Sequence, residues 1–78
     1  MSGPDPAVAA WLADLSQRLG VDAPTPEEID AVLALAAVAA RGSARQAAPV
    51  ACWLAARAGV GLEDALEFAR SIPPRAAG

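Results

Sequence analysis

The sequence predicts an all-α fold: a compact bundle of four short helices, antiparallel neighbours, at about 6–19, 26–41, 49–58 and 62–71. Three observations carry this. Apolar residues recur at helical spacing in each of these segments. Much of the 55% hydrophobic content is alanine, which is a helix former before it is a core residue. Glycine and proline punctuate the chain at intervals that leave loops of about two to six residues, short enough to make consecutive helices antiparallel.

The first helix starts at Pro6, suited to a first turn, behind Asp5 as N-cap. Val8, Trp11, Leu12, Leu15 and Leu19 form its inward stripe, with Asp14, Gln17 and Arg18 outward and Gly20 as a left-handed stop. Thr25, Pro26 and Glu28 specify the second start as N-cap, first helical residue and capping-box partner. Ile29, Val32, Leu33, Ala36 and Ala40 make the main stripe of this helix, while Leu35 and Val38 lie on another side. Arg41 complements the C-terminal dipole and Gly42 ends the helix.

Between Gly42 and Ala48, Ser43 and Gln46 could cap a new helix, but Pro49 would then sit uncomfortably far inside it. The main body of the third helix is therefore placed at 49–58, with Val50, Trp53, Leu54 and Ala58 as its core stripe. Ala47, Ala51 and Ala55 form a small-residue ridge that lets another helix approach closely. Gly59 and Gly61 break the chain. The fourth helix turns Leu62, Ala65, Leu66 and Ala69 inward and Glu63, Asp64 and Glu67 outward, and Pro73 and Pro74 forbid its continuation. Residues 1–5 read as a flexible leader, 6–72 as a single helical domain and 73–78 as a disordered tail.

Seventy-eight residues build a core worth only a few kcal/mol. The lone Cys52 excludes an internal disulfide, and with no histidine and one cysteine no metal-ligand cluster is available. Self-association or docking onto a larger protein is the remaining route to added stability. The absence of histidine, tyrosine and lysine removes most side chains that titrate or attack near neutral pH, so no catalytic residues, cofactor or metal are expected. A net charge of −3 opposes nucleic-acid binding. The longest apolar run, residues 31–40, is about half of what a bilayer requires, and the N-terminus lacks the pattern of a signal peptide; a cytoplasmic protein without membrane contact is expected.

The run Gly42-Ser43-Ala44-Arg45-Gln46-Ala47-Ala48-Pro49-Val50, with the following apolar helix ending in Ala-Gly, resembles a small actinobacterial helical domain family of unknown function. Trp11-Leu12-Ala13 and Leu19-Gly20 resemble the N-terminal part of the same family. Its members occur alone or fused behind molybdenum-cofactor guanylyltransferase-like domains, which implies a connection with synthesis of that cofactor. The chain departs from the family pattern at Val38, Arg41 and Gln46. The resemblance carries no catalytic residues across.

Two candidate surfaces follow. Leu35, Val38, Ala47, Ala51 and Ala55 are the expected interface, since a helix apolar on two sides is either central or shared with another chain. Trp11 and Trp53 are expected in the core. Arg41, Arg45 and Arg57 could converge with the free N–H groups at the start of the third helix on an anionic metabolite. The residues thus favour a non-catalytic protein-interaction module, its partner a second copy in a homodimer or a larger enzyme, over a small regulatory domain that binds an anion.

Overall fold

Local capping chemistry sets the helix boundaries. A computed structural model describes residues 5–75; the leader residues 1–4 and tail residues 76–78 lie outside it. Among the described residues there are four α-helices and no strand: α1 (Pro6–Leu19), α2 (Pro26–Gly42), α3 (Ala47–Ala58) and α4 (Leu62–Arg70). The fold is all-α, as the sequence predicts. The chain divides into two compact units, Met1–Asp30 and Ala31–Gly78.

In the first unit the Asp5 carboxylate accepts the Ala7 N–H at 2.8 Å, and Gly20 closes α1 at a φ of 75°, a conformation that glycine adopts without a Cβ penalty. The capping box of α2 is complete. Thr25 N–H donates to Glu28 Oε1 at 2.8 Å and Glu28 N–H to Thr25 Oγ1 at 3.1 Å, satisfying two donors that the helix cannot. Burial on α1 differs from expectation. Ser16 is its buried residue, its hydroxyl donating back to Leu12 O at 2.7 Å, and Leu12 is half-buried. Trp11 is 66% exposed, with Val8, Leu15 and Leu19 also exposed. The expected placement of Trp11 in a core is therefore corrected: the buried strip of α1 is narrow and centres on Ser16, leaving the large side chains outside it.

The second unit is built on Leu35, Ala55 and Ala65, one residue from each of α2, α3 and α4, with Cys52, Leu66 and Ala69 packed against them. Leu35 is the least exposed of the core side chains, at 3%. This corrects two expectations together. Leu35 and Ala55 are core residues, not an interface, and of the alanine ridge of α3 only Ala55 is buried against helices of its own chain, Ala47 and Ala51 being half-buried. The aromatic and aliphatic stripe of α3 turns outward instead: Trp53 is 58% exposed, and Val50, Leu54 and Ala58 are exposed with it. Leu33, expected in the main stripe of α2, is exposed too. Alanine at a helix contact lets backbones come close, an arrangement that leaves little room for a tryptophan between them. α4 keeps its predicted orientation, with Ala65 buried, Leu62, Leu66 and Ala69 half-buried and its three acids outside.

Two boundaries move. α3 begins at Ala47, two residues earlier than expected, because Pro49 falls within the first turn, where its missing N–H has no helical partner to lose. Gly42 belongs to α2 and has no positive φ; Ser43 N–H continues the helical pattern to Ala39 O at 3.0 Å. At the end of α3, Gly59 does take the left-handed stop, at a φ of 72°. Residues 73–75, expected in a loose tail, return to α2, where Arg75 N–H donates to Gly42 O at 2.6 Å.

With so little buried, single core changes weigh heavily. Leu35→Ala is expected to lower unfolding stability by about 3 kcal/mol in urea titrations followed by circular dichroism. In the same assay Thr25→Ala should cost about 1 kcal/mol by removing the cap of α2.

Candidate functional site

The ends of α2 and α4 and the outer side of α3 enclose an open groove of about 630 Å³ within the second unit. Val38 and Ala39 of α2 and Ala47, Val50, Ala51 and Leu54 of α3 line one part of it. Ala69, Ile72, Pro73 and Pro74 line the rest. The two prolines stiffen the tail through their fixed φ, and the bond from Arg75 to Gly42 ties that tail to α2. The polar character of the groove comes from Arg41, Arg70 and Arg75, together with Ser43; no acidic side chain among the described residues lines it. These three arginines make no ion pair among the described residues.

Beyond the groove the apolar surface continues on α3. The Arg57 guanidinium lies over the Trp53 ring, 5.0 Å from its centroid, a cation–π arrangement that holds an exposed indole in place. Phe68 of α4 is exposed as well. In the first unit Trp11 and Leu15 flank Asp14 and Arg18, whose salt bridge of 3.2 Å is solvent-exposed and adds little.

The expected residues separate on this surface. Val38, Ala47 and Ala51 line the groove, whereas Leu35 and Ala55 lie beneath it in the core. The expected anion site does not assemble. Arg41 is in the groove, Arg57 is on Trp53, and Arg45 is exposed and lines neither. The backbone half of that site is also spent: Ala47 and Ala48 N–H donate to Ala44 and Arg45 carbonyls at 2.9 and 3.1 Å, and Pro49 has no N–H to offer. Arg70 and Arg75 were missed as groove residues. Arg70 reads from sequence as a dipole partner of α4, and Arg75 reaches the groove only because the tail turns back.

Sequence comparison adds the family. Residues 3–77 match the model of a domain of unknown function, DUF6457. The chain belongs to that family. No curated protein and no solved structure matches the domain. Among its described residues no three acidic or cysteine side chains gather as a metal site, and no helix is long and apolar enough to cross a membrane.

Burial alters the protonation of Cys52. Its thiol is half-buried on α3 and points to Val32 O, 3.8 Å from Sγ; burial penalises the thiolate and raises its pKa above the ordinary thiol value. A raised folded-state pKa gives stability that is fully present below the unfolded thiol's pKa and is lost as pH rises through the folded one. The urea midpoint of the wild type should therefore fall across that alkaline window, while that of Cys52→Ala should not show this component. An identical pH dependence in both proteins would contradict the assignment.

Proposed function

We propose that this domain is a non-catalytic protein-interaction module that covers its exposed apolar side with a second copy of itself or with a larger enzyme. The observation that carries this reading is Trp53. A tryptophan with more than half its surface in water, steadied by Arg57 and flanked by Val50 and Leu54, is a costly feature for a small monomer and a common anchor at interfaces. The small core supports the same reading, since its three helices meet chiefly through alanine and leave the large side chains uncovered. The fusion to molybdenum-cofactor guanylyltransferase-like domains that the sequence resemblance implies for related chains makes such an enzyme the first candidate partner. A metabolite-binding role for Arg41, Arg45 and Arg57 draws no support from their positions.

Sedimentation velocity of the domain, alone and mixed with a purified molybdenum-cofactor guanylyltransferase from the same organism, tests this reading. The expected result is self-association or complex formation that Trp53→Ser weakens about 30-fold, the roughly 2 kcal/mol of a hot-spot truncation, without loss of helicity. A wild-type chain that stays monomeric and binds no such enzyme, or association indifferent to Trp53→Ser, would overturn it.

A further inference from the structure

The chain carries a net charge of −3 with six arginines, and three of those six line one groove that holds no acid. Arg41 and Arg70 also answer the dipoles of α2 and α4, whose last turns they occupy. That role leaves most of their guanidinium donors unused, and Arg75, outside any helix, has no dipole to answer. A basic cluster without an ion-pair partner among the described residues of an acidic protein is complementary to carboxylates from outside.

The walls between these arginines say how the carboxylates arrive. Val50, Leu54 and Ile72 are 53%, 51% and 60% exposed, so the groove is broad and open, whereas a small-molecule site encloses most of its ligand. No strand among the described residues offers an edge for an extended peptide, while a groove walled by helices suits a helix laid into it. We propose that the groove docks an acidic amphipathic helix of a partner protein, its aliphatic stripe on Val50, Leu54 and Ile72 and its carboxylates on Arg41, Arg70 and Arg75. The proposal rests on the reading of the domain as an interaction module and specifies the partner at this face.

A second copy does not meet the requirement. On α4 the aliphatic Leu62 and Leu66 that would accompany Glu63 and Glu67 are half-buried in their own unit, and the exposed Phe68 supplies one large apolar side chain where the groove offers three aliphatic positions. On α1 the exposed stripe is flanked by Asp14, already paired with Arg18. The occupant is therefore a different protein.

The test uses the full chain and two labelled synthetic peptides of about 14 residues, some 21 Å of helix. Both carry leucine at i, i+3, i+4 and i+7; one has glutamate on its flanks and the other lysine. Fluorescence anisotropy should show binding of the glutamate peptide, weakening with added salt, and at least tenfold weaker binding of the lysine peptide. Amide shifts should map to Val50, Leu54 and Ile72. The double variant R41E/R70E, checked for unchanged circular dichroism, should lose the glutamate peptide and gain the lysine one. That gain supports the groove only with amide shifts of the variant at Val50, Leu54 and Ile72; a gain without them would count against it. Equal binding of both peptides, binding of neither, or shifts confined to other residues would overturn the proposal. So would dodecanoate shifting these amides where the glutamate peptide does not, which would make the groove a small-anion site. If Trp53-dependent association survives any of these failures, the groove assignment falls and the interaction module stands.

Discussion

The packing of alanines from α3 and α4 on Leu35 of α2 is the contact on which the rest of the second unit depends. Leu35 is the one large side chain among the buried residues, with Ala55 and Ala65, that join the three helices. Dispersion and burial at this contact hold three helices together. Trp53, Val50 and Leu54 lie outside this contact, so the apolar stripe that periodicity points toward the interior is exterior surface.

This division of labour links a weak core to a sticky surface. The chain has no disulfide and, among its described residues, no metal cluster to supplement its core. The apolar area that would have stabilised an independent domain lies outside, where it stabilises only if something covers it. Stability and association are then the same free energy seen in two states, since a partner that binds the folded form also raises its population.

Charge is distributed along the same lines. The acids of α4 lie in its first turn and along its outer side, where they meet water and the positive end of the helix dipole. The arginines at the far ends of α2 and α4 meet the returning tail, and the bond from Arg75 to Gly42 brings a third guanidinium beside them. A protein of net negative charge thus carries, among its described residues, a locally basic apolar groove.

The sequence by itself determined the number of helices and, within two residues, where each begins and ends. Those limits depend on interactions spanning four residues or fewer: Asp5 on Ala7, Thr25 with Glu28, and the left-handed turns at Gly20 and Gly59. Even the missed start of α3 has a local cause, the tolerance of a first turn for Pro49. Only the tertiary structure decided which face of each helix turns inward. α3 has an alanine face and an aromatic face, both at helical spacing, and periodicity weighs them by hydrophobicity whereas packing chose the one that allows the closest approach. The candidate site was legible to the same degree. Val38, Ala47 and Ala51 could be found on helix stripes, but Arg70 and Arg75 join Arg41 through a chain reversal, and the position of a reversal in space is set by contacts between residues far apart in sequence.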